Sequence, residues 1–165
     1  MLRTSVLALA LLVGAATQSS AENLACEDHS LFMSNNEILF IGEQTVGAQP
    51  GDRRILDWRV HDAEGNDLGT FHVVTTVLSD TDDGHLITAT GSVVLANGEV
   101  HATITTELPD ASSDTRSSAG AVEWAITGGT DTFTHASGTL VTGPPQDALQ
   151  SLDDWSFNLT MECEE

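Results

Sequence analysis

The chain has 165 residues, with 25 acidic residues, five arginines and no lysine, and its formal net charge is −20. This charge argues against a nucleic-acid partner and against an anionic membrane surface, because both bind proteins through basic residues. It is typical of a protein that remains soluble in a salty exterior, where ions screen the repulsion between like charges. We therefore expect neither nucleic acid nor a membrane as a partner.

The first 21 residues have the pattern of a secretory signal peptide. Arg3 supplies a positive start, residues 6–16 form an apolar run too short to span a bilayer, and residues 19–21 offer small side chains for cleavage. We expect cleavage after about Ala21 and a secreted or periplasmic protein, with a membrane anchor as the alternative. The remaining residues, 22–165, have the length of a single domain with its own core.

Two cysteines, Cys26 and Cys163, lie near the two ends of the exported chain. Export would place them in an oxidising compartment, where disulfides form and persist. We therefore predict a Cys26–Cys163 disulfide, which requires the first and last segments to be neighbours, as they are in a closed barrel. The alternative is two free thiols or a redox pair, but the chain has no C-x-x-C spacing.

Strand-like runs follow one another along the chain, separated by turns rich in Gly, Asp, Asn and Pro, and no amphipathic helix interrupts them. Eight antiparallel strands joined mostly by hairpins close into a barrel whose interior is filled by side chains or holds one small ligand. We therefore predict an all-β fold, an eight-stranded antiparallel up-and-down barrel. In chain order, the runs cover residues 37–44, 53–61, 69–79, 85–95, 99–108, 121–126, 136–142 and 153–163.

The second and last runs alternate between an apolar and a polar face, as strands at a core do. Their apolar faces are expected to line the barrel and to contact a small apolar ligand. Two interpretations stay open for these residues, an ordinary filled core and the wall of an open ligand cavity. They are Leu56, Trp58, Val60, Trp155, Phe157, Leu159 and Met161.

A glycine-rich stretch follows the sixth run, with A-I-T-G-G-T at residues 125–130, Phe133, and A-S-G at residues 136–138. Gly128 and Gly129 favour a sharp turn, and Phe133 is the expected apolar anchor beneath it. The stretch resembles the A-I-T-G-G-S/T-G-x-F/Y-x-x-A-x-G signature of the allene oxide cyclase and dirigent barrel superfamily. With the order of the strands, the resemblance covers roughly residues 50–142. It implies an eight-stranded barrel with a central apolar cavity, and a homodimer or homotrimer.

The chain departs from that family at several positions. Asp131 replaces the glycine of the signature, although aspartate tolerates the left-handed conformation better than most residues. The resemblance implies that Glu37 stands at the family's first-strand glutamate, whereas Leu39 replaces the asparagine two positions later. Trp58 stands where the cyclases carry a pocket asparagine, and the chain has no tyrosine. Allene oxide cyclisation itself is therefore not expected, and the dirigent carboxylate and arginine positions are not matched.

Asp57, Arg59 and His61 share one face of the second run. Pointing inward, they would combine a carboxylate, a cation and a titratable base for proton transfer, with Arg59 holding an anionic or enolate oxygen. With Glu37, we take Asp57 and Arg59 as candidate catalytic residues. The alternative orientation is outward, as a solvated face or a subunit contact.

No metal site and no cofactor are expected, because none of the six histidines has H-x-H or H-E-x-x-H spacing. The sequence therefore favours a secreted barrel that binds a small apolar molecule and steers its cyclisation, isomerisation or coupling. Such a protein would be a cyclase- or isomerase-type enzyme without metal. The alternative is a non-catalytic, lipocalin-like barrel for small-molecule binding or stress response. A polar group buried beside an empty pocket would favour the enzyme.

Overall fold

A computed structural model of the chain describes residues 23–41, 49–82, 84–109, 121–143 and 155–164. The predicted signal peptide and its cleavage point lie outside these residues. The described residues form eight strands and one short 3-10 turn, Asp131–Phe133. The strands are β1 (His29–Ile41), β2 (Arg53–His61), β3 (Asp67–Asp80), β4 (Gly84–Leu95), β5 (Gly98–Pro109), β6 (Val122–Gly129), β7 (Ala136–Gly143) and β8 (Trp155–Cys163).

Every strand pairs antiparallel with the next strand along the chain, and β8 pairs with β1 to close the sheet. The prediction of an all-β, eight-stranded antiparallel barrel is therefore confirmed. The bounds of β2 agree with the predicted run, but β1 begins at His29 and not at residue 37. A bulge between Ser34 and Glu37 shifts the register of β1, and this shift breaks the alternation on which the prediction relied.

The inner face of the barrel follows from the ladder register, because directly opposed residues of neighbouring strands share a face. Phe71 of β3 lies opposite Trp58 of β2 and Val93 of β4, and Val93 lies opposite Val100 of β5. Phe71, Val93 and Val100 are 1% or less exposed, so this face is the inside. Leu140 and β8's Leu159 and Phe157 complete the dry core from the other side of the barrel.

The glycine-rich stretch closes one end of the barrel. Gly128 has φ 132° and Asp131 has φ 50°, so both adopt the left-handed region as the turn requires. A Cβ at Gly129 would overlap the carbonyl oxygen of Glu99, because the turn packs directly on β5. Phe133 is fully buried beneath the turn, which confirms it as the apolar anchor.

We call this end of the barrel, where β2 ends and β3 begins, the closed end. Leu24, just before β1, is buried there, and the Asn97 side chain donates a hydrogen bond of 2.7 Å to its carbonyl oxygen. The residues that pack the closed end are Leu24, Val60, Leu95, Val100, Phe133 and Met161. Among the residues that the structure describes, no helix has the length and apolar character needed to cross a membrane.

The disulfide Cys26–Cys163 is present, with the two Cα atoms 6.1 Å apart. Cys26 lies just before β1 and Cys163 ends β8, so the bond joins the two strands that close the barrel. The two cysteines are 137 residues apart in sequence, so the bond closes a loop that contains nearly all of the described residues. The predicted pairing of the two cysteines is therefore confirmed.

Replacing both cysteines by serine should lower the free energy of unfolding by about 2–5 kcal/mol, because the unfolded chain would regain the entropy of a long open loop. Urea unfolding followed by tryptophan fluorescence measures the loss. Reduction of the unmodified protein should produce a similar loss, whereas the double-serine variant should not respond to reductant. An unmodified protein whose unfolding midpoint is unchanged by reduction would contradict the expectation.

Candidate functional site

The inner face of the barrel is dry at one end and only partly dry at the other. At the closed end, inward side chains such as Val60 and Val100 have no exposed surface. Toward the opposite end, where β2 and β8 begin, Val77, Ile87 and Thr142 are buried, but inward side chains of several strands are only half-buried. We call this part of the inner face the open half. Its described residues are Arg54, Leu56, Trp58, Thr75, His85, Ile104, Thr106, Leu108, Val122 and Trp155.

An aromatic cluster forms the floor between the dry core and the open half. The Phe71 ring stacks on Trp58, with centroids 5.8 Å apart and planes inclined by 24°. It meets Trp124 and Phe157 edge to face, with centroids 5.6 and 5.1 Å apart. Gly91 permits this arrangement, because a Cβ there would lie 2.5 Å from the Phe71 ring. The floor is therefore a rigid aromatic surface with Trp58 at its solvent-accessible edge.

Trp124 is fixed in the floor by a buried hydrogen bond. Its indole Nε1 donates to the hydroxyl oxygen of Thr142, at 3.2 Å, from β6 to β7. Thr142 is 5% exposed, and the bond satisfies two polar groups that would otherwise destabilise an apolar interior. The inner wall thus includes a polar group that serves to position a ring.

Arg54 places a positive charge on the inner face of the open half. In β2 it has the same parity as Leu56, Trp58 and Val60, and it is half-buried, whereas its neighbour Arg53 is exposed on the outside. Across the ladder, Arg54 lies opposite Thr75, which shares a face with the buried Phe71. The Arg54 side chain also has an interaction within the chain. Sequence reasoning missed this residue, although the alternation of β2 extends to it.

A histidine–carboxylate pair lies at the end of the barrel opposite the closed end, where β3 ends and β4 begins. The Nδ1 atom of His85 is 3.0 Å from the Oδ1 atom of Asp80, and the His85 side chain is 17% exposed. His85 lies on the same face of β4 as Ile87 and Ala89, both of which are buried inside the barrel. A carboxylate in contact with an imidazole can orient the ring for proton transfer.

The seven predicted lining residues separate into two groups. Val60, Phe157, Leu159 and Met161 are between 0% and 3% exposed and belong to the packed core. The other three are half-buried and border the open half; they are Leu56, Trp58 and Trp155. The structure thus brings all seven to the inner face, while their role in ligand binding stays a prediction.

The candidate catalytic residues do not join that lining. Asp57 lies on the outer face, where its Oδ1 atom is 2.5 Å from the Nδ1 atom of His72. The Arg59 side chain is 69% exposed and is 4.0 Å from a carboxylate oxygen of Asp67. Glu37 lies opposite Asp57 in the ladder, and its side chain is outside the described part of the structure. The outward orientation is therefore the observed one, and a catalytic role for the three stays a prediction.

Polar residues continue across the outer face from Asp57. His72, Ser92 and His101 lie opposite one another on β3, β4 and β5. Glu99 accepts a hydrogen bond of 2.8 Å from the Ser92 hydroxyl and lies 3.3 Å from the Nε2 atom of His101. These contacts, chiefly the one from Ser92, lower the pKa of Glu99 below its ordinary value. Among the described residues, no group of three or more His, Cys, Asp and Glu is arranged to hold a metal ion.

Among the described residues, two surface hollows lie outside the barrel interior. The larger, about 650 Å³, is at the closed end beside the disulfide, and the smaller, about 250 Å³, is beside the turn between β2 and β3. Both are open to solvent and mainly polar, unlike the apolar clefts in which small molecules usually bind. The hollows are lined by Cys26, Glu27, Asp28, Met161, Glu162 and Cys163, and by Ser34, Arg59, His61, Gly65 and Asp67. Neither hollow is lined by a residue of the open half.

Neither a protein-family model nor a curated protein sequence matches this chain. Several solved structures have the same fold. A pyocyanin demethylase superimposes with a TM-score of 0.64 and 18% identity over 82% of this chain and 99% of its own. The Diels–Alderase AbmU from Streptomyces koyangensis gives a TM-score of 0.63 and 14% identity, over 83% of this chain and 64% of its own.

A heme-binding cyclase that catalyses a cycloaddition in neoabyssomicin biosynthesis gives a TM-score of 0.60 and 12% identity. The likeness covers 83% of this chain, which spans 65% of the length of that cyclase. At such low identity, these likenesses establish the small barrel fold, which the chain shares with proteins described as demethylases, cyclases and Diels–Alderases. Their activities remain statements about those proteins.

The outward position of Asp57 and Arg59 predicts a small effect on stability. Replacing them together by Asn and Gln should change the free energy of unfolding by less than about 1 kcal/mol, as for exposed ion pairs. Phe71→Ala should cost about 3–5 kcal/mol, because it removes the centre of the aromatic floor. Urea unfolding of the two variants tests both values, and a loss of similar size in each would contradict the assignment of faces.

The contacts of Glu99 predict a response to Ser92→Ala. Because the Ser92 hydroxyl stabilises the ionised carboxylate, its removal should raise the pKa of Glu99 toward the ordinary value. The lowered pKa means that this stabilisation is present above the unfolded pKa and is lost as the pH falls through the folded pKa. A carbon-13 NMR titration of the carboxyl group measures the change. Ser137→Ala on β7 is the control, and an equal shift there would refute the assignment.

Proposed function

We propose that this barrel binds a small apolar molecule in its open half and steers the cyclisation, isomerisation or coupling of that molecule. In this proposal it acts as a cyclase- or isomerase-type enzyme that uses its own side chains, without metal or cofactor. The observation that carries the proposal is the gradient of exposure along the inner face. Inward residues are dry at the closed end, yet inward residues of the open half keep access to solvent.

The walls of the open half determine the kind of molecule that would bind. Leu56, Ile104 and Val122 are aliphatic, while Trp58 and Trp155 offer indole surfaces, and all five pack against the core. Aromatic surfaces make offset stacks with planar groups, and an apolar wall favours a ligand that leaves water. The chemistry of the walls therefore favours a planar or conjugated molecule with few polar groups.

A barrel of this kind would accelerate a reaction mainly by holding a flexible substrate in one reactive geometry. Positioning alone contributes several kcal/mol when the reacting atoms are kept close and aligned, roughly 7–11 kcal/mol in favourable cases. The aromatic floor provides a fixed surface for this purpose, because Phe71 is held by three neighbouring rings. Proton transfer, where a substrate needs it, would fall to the His85–Asp80 pair.

The solved structures with this fold support the proposal at the level of small-molecule chemistry. Their descriptions name demethylation of pyocyanin and cycloaddition, which are reactions of small molecules. The narrower assignment to the allene oxide cyclase and dirigent superfamily rests on the glycine-rich stretch at residues 125–138. The absence of tyrosine and the presence of Trp58 argue against allene oxide as the substrate.

A non-catalytic, lipocalin-like binding protein is the second candidate. The extent of the packed core favours it, because most of the inner face consists of buried aliphatic and aromatic side chains. The His85–Asp80 pair favours catalysis instead, since a passive binder of an apolar ligand has no need of an imidazole held by a carboxylate on its inner side. The disulfide supports export in either case, because such bonds persist in oxidising compartments.

The three tryptophans of the chain provide a direct test, because Trp58, Trp124 and Trp155 all face the barrel interior and the chain has no tyrosine. Titration with N-phenyl-1-naphthylamine, a neutral aromatic probe, should quench tryptophan emission in a saturable manner and increase probe emission. The signal must saturate with probe concentration, because weak adsorption on the protein surface would keep increasing as more probe is added.

Two neighbouring residues of β5 supply matched variants for this test. Thr106 faces inward in the open half, and Thr105 is exposed on the outside. Thr106→Phe should abolish binding by filling the site, whereas Thr105→Phe should leave it unchanged. Failure of the unmodified protein to bind the probe, or equal loss in both variants, would overturn the proposed function.

A further inference from the structure

We propose that the ligand of the open half is an apolar organic acid, or a molecule that develops an anionic oxygen, and that Arg54 binds this oxygen. The inference rests on the proposed function and specifies its substrate class. The anionic group would lie at the start of β2, while the apolar body lies against Trp58 and Trp155. This role differs from the one predicted for Arg59, whose side chain is exposed on the outside.

The backbone of β2 fixes the direction of Arg54. The pairing of β2 with β3 runs without a register shift from Arg53 to Val60, so alternation holds over this whole segment. Val60 is fully buried inside the barrel, and Arg54 lies six residues before it on the same face. Arg53 and Arg54 therefore carry the same charge on opposite faces of one strand, so Arg53 can serve as the control for substitutions of Arg54.

The residues around Arg54 suit an anionic oxygen. Thr75 lies directly opposite on β3 and is half-buried on the same face, so its hydroxyl is a further hydrogen-bond donor. Arginine binds carboxylates through two parallel N–H donors, and such charge-assisted bonds are stronger than neutral ones. Leu56, two residues along the strand, begins the apolar wall. One side of the open half is thus polar and cationic, and the adjoining side is apolar.

The charge of the whole chain makes the position of Arg54 informative. The chain carries a formal charge of −20 with only five arginines, so positively charged side chains are rare in it. One of them lies half-buried on the inner face, where charged side chains are seldom found without a partner. Arg54 also has an interaction within the chain, and an incoming anion would share or replace that partner. The alternative is a structural role alone, in which Arg54 joins strands and is indifferent to the charge of the ligand.

Two probes with the same aromatic frame distinguish these roles. N-phenyl-1-naphthylamine is neutral, and 8-anilinonaphthalene-1-sulfonate carries one anionic sulfonate. Arg54→Gln should weaken the binding of the sulfonate about tenfold or more, the effect of losing one charge-assisted hydrogen bond. It should change the binding of the neutral probe less than about twofold, because apolar contacts are retained. Arg53→Gln, with the same loss of net charge, should change neither constant.

Each outcome separates the two levels of the proposal. If the unmodified protein binds neither probe, the proposed function fails. If it binds both and Arg54→Gln weakens both equally or neither, the substrate class is wrong while the binding site stands. If Arg54→Gln does not fold, Arg54→Lys keeps the charge but not the paired N–H donors, and it should weaken the binding of the sulfonate more than that of the neutral probe. An Arg54→Lys variant that folds and weakens both probes equally, or neither, would overturn the inference.

Discussion

The antiparallel pairing of β8 with β1 is the constraint on which the rest of the structure depends. Leu31 lies opposite Phe157 and Met33 lies opposite Trp155, so the last strand completes the inner face that the first begins. Without this pairing the sheet would have two free edges and an exposed apolar face. The Cys26–Cys163 bond lies beside the same pair of strands and holds them together covalently. Closure is therefore reinforced where an open sheet would separate.

Closure also determines how one strand can serve two environments. Because successive side chains alternate, a closed sheet assigns each residue to the inside or the outside. β2 thus presents Trp58 to the aromatic floor and Asp57 to His72 on the surface. A register shift of one residue would exchange the two sets, and the apolar set would then face water. The packing of Phe71 against Trp58 therefore fixes the outward position of the predicted catalytic carboxylate as well.

The two ends of the barrel differ in how completely their inward residues are buried, and the residue types at each end explain this difference. At the closed end, Leu24 and Phe133 come from outside the strands and complete the packing over the inner face. In the open half, Thr75 and Thr106 occupy inward positions where aliphatic residues would be needed for a dry core. A hydroxyl that loses water without gaining a hydrogen-bond partner destabilises the fold. Contact with solvent in the open half therefore avoids the destabilisation that burial of these threonine hydroxyls would cause.

Local patterns in the sequence predict most of the fold, because strand alternation and turn residues act over a few positions. They place β2 and the inward faces of β2 and β8, and the position of Phe133 under its turn. They fail at the start of β1, where the bulge after Ser34 shifts the register. The pairing of His85 with Asp80 also depends on a register shift in β3, between Val77 and Ser79, which no local pattern reveals.

The inward position of Arg54 is not predicted by the sequence, whereas the catalytic role predicted for Arg59 stays a prediction. A charged residue at the start of a strand normally reaches solvent, so the sequence alone does not place Arg54 on the inner face of β2. In a closed barrel, the start of a strand is also the mouth of the interior. The field of a chain with charge −20 repels anions at long range, but salt screens it beyond about 10 Å at 0.1 M. Contact with a half-buried arginine is screened far less, so a salty exterior would weaken the repulsion and preserve the attraction.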